Sequence, residues 1–88
     1  MGKLEEKLST NLFLRIKYGL DVEQPLSVAI EMKPDGFFAI IYWLESHGYR
    51  NWQRNGRFVF YRLSIEEISA LAELPEVKKI LLSGEVMM

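Results

Sequence analysis

Apolar residues recur along this chain with two periods, and the switches between those periods outline its elements. From Arg57 to Leu82 (RFVFYRLSIEEISALAELPEVKKILL) the order reads strand, capped helix, stop, strand. Ser64 and Glu67 have capping-box spacing: the Ser64 hydroxyl can accept from the Glu67 backbone N–H, and the Glu67 carboxylate from the Ser64 N–H. Leu63 and Ile68, on either side of the cap, are placed to close as a hydrophobic staple. Ile65, Ile68, Leu71, Ala72 and Leu74 share one helical face, and Pro75 stops the helix. From Val77 the chain resumes as β structure.

Upstream, Leu26–Lys33 sets Leu26, Val28, Ile30 and Met32 against Ser27, Ala29, Glu31 and Lys33. Period two predicts a half-buried strand, although Pro25 also permits a helix to start here. Leu4, Leu8, Leu12 and Ile16 recur every four residues and predict a helix over 3–18, closed by Gly19 with Leu20 as the following hydrophobic contact. Alternation of Leu12, Leu14, Ile16 and Tyr18 offers a strand as the competing reading. Residues 21–25 form a polar connector. Pro34-Asp35-Gly36 breaks the chain, and Asp35 is a candidate cap for a helix over 36–47 with Phe37, Ile40, Ile41 and Leu44 on one face. Phe38, Tyr42 and Trp43 make a second stripe, expected to lie under the N-terminal helix, with a dimer contact as the alternative. Gly48 ends this helix.

Asn55-Gly56 is a strong hairpin signal, because both central residues of the tightest turn need positive φ. With these two as the loop, Arg54 faces Arg57, Gln53 faces Phe58, Trp52 faces Val59 and Asn51 faces Phe60. Val59, Tyr61 and Leu63 then point inward, leaving Phe58, Phe60 and Arg62 on the opposite face. The resulting βαββαβ succession predicts a ferredoxin-like plait: an α+β fold with a four-stranded antiparallel sheet, two helices on one face and an extra N-terminal helix. One domain spans 1–88, divided into an N-terminal helix within 1–20, the plait over 26–83 and a C-terminal tail at 84–88.

Composition narrows the options. At 88 residues, 49% hydrophobic and 26% charged, the chain suits a single soluble core. No run is long enough to cross a bilayer and no signal core is visible, so cytoplasmic placement is the default expectation. Zero cysteines remove disulfides and thiolate sites, and a net charge of −1 gives no global pull toward phosphate or anionic lipid. His47 has no evident nucleophile, and no phosphate loop, metal-ligand spacing or nucleophile elbow occurs. No enzyme activity, metal or cofactor is expected. The outer sheet face does promise something: Phe58, Phe60 and Leu81 form an apolar centre, and Ala29, Glu31, Asn51, Gln53 and Arg62 surround them. Such a surface marks a binding site. Arg50, Arg54, Arg57 and Arg62 are concentrated on the same hairpin.

The segment Leu63-Ser64-Ile65-Glu66-Glu67-Ile68-Ser69-Ala70-Leu71-Ala72-Glu73-Leu74-Pro75-Glu76-Val77-Lys78-Lys79-Ile80 resembles the final helix and last strand of the propeptide domains of subtilisin-like proteases and their free-standing inhibitor relatives. The likeness extends over most of the chain. It implies a domain that binds a subtilisin-like serine protease as an inhibitor or folding helper. The sheet face would pack on the enzyme, and Gly84, Glu85, Val86, Met87 and Met88 would lie extended in its substrate cleft. Glu85 departs from the family's pattern, since it falls where such proteases prefer an apolar residue. Monomer or weak dimer is the expected state.

A second likeness competes. Leu44-Glu45-Ser46-His47-Gly48-Tyr49 with Arg54-Asn55-Gly56-Arg57-Phe58-Val59-Phe60-Tyr61-Arg62-Leu63 is similar to the recognition-helix end and wing of winged-helix repressors. It implies a DNA-binding regulator with a helix at 24–32, a wing at 49–63, and Arg54 and Arg57 on phosphates. The helix meant to enter the groove, however, has no Arg, Lys, Asn or Gln to read bases. Gly56-Arg57-Phe58-Val59-Phe60-Tyr61 is also similar to the aromatic strand of RNA-binding plaits, but LSVAIEM offers no partner aromatic.

Overall fold

The structure is a computed structural model that describes residues 6–19 and 25–86. Its elements are α1 (Thr10–Tyr18), β1 (Leu26–Met32), α2 (Phe37–Ser46), β2 (Gln53–Asn55), β3 (Phe58–Leu63), α3 (Ile65–Ala72), β4 (Val77–Leu82) and a short α4 (Ser83–Val86). The four strands form one sheet in the order β2-β3-β1-β4, and every neighbouring pair is antiparallel. This is an α+β fold compatible with the ferredoxin-like plait. Residues 26–32 are its interior strand β1, so the helix that the winged-helix likeness requires there is absent.

One core holds the layers together. Val28 and Ile30 of β1, Val59 and Leu63 of β3, and Val77 and Ile80 of β4 join Ile40 and Leu44 of α2 and Ile68 and Leu71 of α3, all fully buried. Both helices therefore lie on the same sheet face. Val77 and Ile80 are three residues apart, and a regular pleat would send them to opposite faces. A register shift after Glu31 resolves this: Glu31 pairs with Lys79 and Met32 with Val77. Lys78 is the extra residue of a β-bulge.

The N-terminus departs from the single helix predicted over 3–18. Glu6 and Lys7 are helical, but Leu8 makes a parallel bridge to Ile80 and Ser9 donates its N–H to the Ile80 carbonyl at 2.9 Å. Ser9 then caps α1, its Oγ accepting from the Leu12 N–H at 3.2 Å. A cap needs extended backbone, so the leucine repeat is interrupted there. The helical reading of Leu12–Tyr18 holds, and Gly19 closes it with its N–H on the Arg15 carbonyl. Leu8 and Leu12 enter the helix-side core, so α1 flanks β4 and does not cross the other face. Leu4, Leu20 and residues 21–24 lie outside the described residues.

Two expectations around α2 are corrected. Asp35 does not cap it: Gly36 is the N-cap residue, without a side-chain bond. Neither does α1 cover the second stripe, for Phe38 is 82% exposed and Tyr42 76%. Gly36 is fixed by crowding. A Cβ there would stand 2.8 Å from the Glu76 carbonyl oxygen, which is backbone and cannot swing away. Gly36→Ala is therefore expected to cost about 1–3 kcal/mol, read as a lower denaturation midpoint at unchanged slope.

The hairpin loop lies one residue beyond its predicted place, which moves each cross-strand pairing by two residues. Asn55 pairs with Phe58, Arg54 with Val59 and Gln53 with Phe60. The loop is thus Gly56-Arg57, with positive φ (63°) at Gly56, which glycine adopts without penalty. A two-residue shift preserves facing, so every side chain stays on its predicted side. The capping box forms as predicted. Ser64 N–H reaches Glu67 Oε1 at 2.9 Å and Glu67 N–H reaches Ser64 Oγ at 3.2 Å. Ser64→Ala should cost about 1 kcal/mol, measurable by thermal or urea unfolding.

Candidate interaction surface

The sheet face opposite the helices is built by the odd positions of β1 and the even positions of β3. Phe58 stands across from Glu31, and Phe60 across from Ala29. Leu81 of β4 flanks Ala29 from the other side. Phe58 and Phe60 are half-buried, their ring centroids 6.4 Å apart. With Leu81 they enclose Ala29, which is fully buried yet belongs to the face away from the core. The result is an apolar strip on the sheet face opposite the core that α1, α2 and α3 join.

Charge is arranged tightly around that strip. Glu31 is 8% exposed and is the one acidic residue in the four strands. Arg57 Nε meets its Oε2 at 2.9 Å and Lys78 Nζ lies 3.9 Å away. The Arg57 guanidinium also stands 5.5 Å from the Phe58 ring centroid. A buried carboxylate needs such compensation, and the bulge that displaces Lys78 helps to supply it. Arg62 is exposed at the other end, with a 3.5 Å contact from Nη2 to the Pro25 carbonyl. Beside it lies a groove of ≈ 700 Å³, open to solvent, whose walls include Ser27, Asn51, Gln53, Asn55, Phe60 and Arg62.

Of the residues assigned to partner binding from the sequence, the structure gathers Glu31, Asn51, Phe58, Phe60, Arg62 and Leu81 on this one face. Gly84, Glu85 and Val86 are elsewhere and differently shaped. Instead of an extended tail, Ser83–Val86 is a helical turn. Glu85 Oε2 accepts from Ser9 Oγ at 2.7 Å and from the Leu82 N–H at 2.8 Å. Asn11 Nδ2 lies 3.5 Å from Glu85 Oε1. The carboxylate thereby closes the free edge of β4, the same edge to which Ser9 donates. Met87 and Met88 lie outside the described residues.

The sequence reading missed the Ser9–Glu85 latch and the Arg57 and Lys78 partners of Glu31. Both depend on register and chain reversal, and the only advance signal was a carboxylate in mid-strand. The two arginines assigned to a wing tip are otherwise engaged. Arg54 lies 4.1 Å from the Phe37 ring centroid and donates Nε to the Gly56 carbonyl, while Arg57 is committed to Glu31. His47 stacks on Trp43 at 4.1 Å, and its Nδ1 is 2.7 Å from the Trp43 carbonyl, which can only accept. Ser46 Oγ donates to the same carbonyl at 2.9 Å. Ser46 Oγ and His47 Nδ1 also lie 3.3 Å apart, so the pair is gathered at one backbone carbonyl.

Among the described residues no three His, Asp or Glu side chains group as metal ligands, and no helix is long and apolar enough to cross a membrane. No protein-family model, curated protein or solved structure matches the chain.

Proposed function

We propose that this domain is a protein-binding module that meets its partner through the outer face of the sheet, and that the partner is a subtilisin-like protease which it inhibits or helps to fold. The observation that carries the reading is the partly exposed Phe58–Phe60–Leu81 strip around Ala29, on the sheet face opposite the core into which α1, α2 and α3 pack. Exposed apolar centres with polar rims are what protein interfaces are made of. The resemblance of residues 63–80 to subtilase propeptides supplies the partner class.

In this reading the C-terminal turn is a stored form of the tail. Entering a substrate cleft requires the turn to unwind and Glu85 to leave Ser9 and Leu82. Gly84, exposed and with open space where a Cβ would stand, is a suitable hinge. The test is titration of a subtilisin-type protease with the purified domain. Saturable inhibition near equimolar ratio is expected; full activity with the domain present and folded counts against the reading.

A further inference from the structure

The groove beside Phe60 is lined by carboxamides in a repeating arrangement. Gln53 and Asn55 are successive same-face positions of β2, opposite Phe60 and Phe58, which spaces them about 6.8 Å apart along the strand. Asn51, just before the strand, continues the line along the same groove. All three are exposed, and no hydrogen bond among the described residues engages their side chains. Among the described residues no carboxylate contributes to the groove wall, whereas Arg54 and Arg62 do. Arg54 is held over Phe37 at 4.1 Å. Among the described residues Arg62, whose Nη2 makes a 3.5 Å contact with the Pro25 carbonyl and whose side chain meets no carboxylate, is left as the cation facing the groove.

We propose that this groove binds an extended peptide segment of the partner, carrying one acidic side chain that meets Arg62. The inference rests on the reading of the sheet face as a protein-binding surface and names the chemistry it takes. A carboxamide presents a donor and an acceptor side by side, as a peptide group does. In an extended chain, peptide groups facing the same way recur every second residue, at the same spacing of about 6.8 Å. The row Asn51, Gln53, Asn55 therefore matches successive backbone groups of a peptide laid along β2. Phe60 forms the apolar side of the groove and takes a side chain.

Two alternatives fit less well. Single-stranded nucleic acid brings one phosphate per nucleotide, and a groove spanning several nucleotides would need more than one available cation. A chain terminus would need a closed end, and this groove is open to solvent. The partner's carboxylate is accordingly a side chain, paired with a guanidinium whose fork suits bidentate contact.

The test uses the full chain labelled with ¹⁵N, because side-chain amide groups give their own NMR signals. Three probes are titrated: a ten-residue peptide of alternating valine and threonine with one central glutamate, the same peptide with glutamine there, and a ten-nucleotide oligouridine. The glutamate peptide is expected to shift the side-chain amide signals of Asn51, Gln53 and Asn55. It should bind about tenfold more tightly than the glutamine peptide, and Arg62→Glu should abolish that preference. Equal binding of the two peptides, shifts confined to other residues, no binding at all, or preference for the oligonucleotide would each overturn the proposal. Gln53→Ala with Asn55→Ala separates this from the broader reading. If protease inhibition survives that pair but is lost with Phe58 and Phe60, the sheet face is the interface and the groove is not part of it.

Discussion

Replacing Phe58 and Phe60 together by Ser is expected to weaken partner binding by about a hundredfold or more while leaving the domain folded. Aromatic anchors at the centre of an interface commonly contribute about 2 kcal/mol or more each. Their cost to the free domain is smaller, because both rings are partly exposed and lie outside the core cluster. What the sheet loses is one aromatic pair and four cross-strand contacts, to Glu31 and Ala29 on one side and to Asn55 and Gln53 on the other, each about 0.2–1 kcal/mol at most. Ile30→Ala provides the yardstick. Ile30 is fully buried on the other face of the same sheet, and its truncation should cost about 2–5 kcal/mol. Inhibition titrations and urea unfolding on the same three proteins check both halves. A double variant that unfolds as readily as Ile30→Ala would mean that the rings are core.

Ending the chain at Ser83 is expected to remove protease inhibition and also to lower stability by about 1–3 kcal/mol. The second effect follows from Glu85, whose carboxylate accepts from Ser9 Oγ and the Leu82 N–H. Its loss uncaps the β4 edge and frees the residue that starts α1. Glu85→Ala in the full-length chain separates the two roles. That variant should lose a similar amount of stability, measured by thermal unfolding, yet keep inhibition, since the tail is present and its turn opens more easily. A truncated chain as stable as the intact one would show that the latch contributes nothing.

Strand β1, the capping box before α3 and the membership of the outer face were all legible in the sequence, and each rests on a local rule. Period two assigns faces without reference to partners, so even the misplaced hairpin loop left Phe58 and Phe60 on the correct side. What escaped was set by tertiary choices. The break at Leu8–Ser9 arises because the edge of β4 offers Ile80 as a partner, and no helical periodicity encodes that. The bulge at Lys78 is visible only once Val77 and Ile80 must share a face. Exposed Phe38 and Tyr42 were assigned cover because apolar residues usually find it, but α1 is drawn to the β4 edge by Leu8 and Leu12 instead. The turn at Ser83–Val86 depends on Glu85 meeting residues at the opposite end of the chain.

The central claim is that the open sheet face, rather than any other apolar patch, meets the partner. It is tested most directly by titrating the isotopically labelled domain with an active-site-blocked subtilisin and following its aromatic and methyl NMR signals. The account predicts that resonances of Phe58, Phe60 and Leu81 broaden first while those of Phe38 and Tyr42 persist. Broadening at Phe38 and Tyr42 with the sheet face unchanged would place the interface on α2 and contradict it.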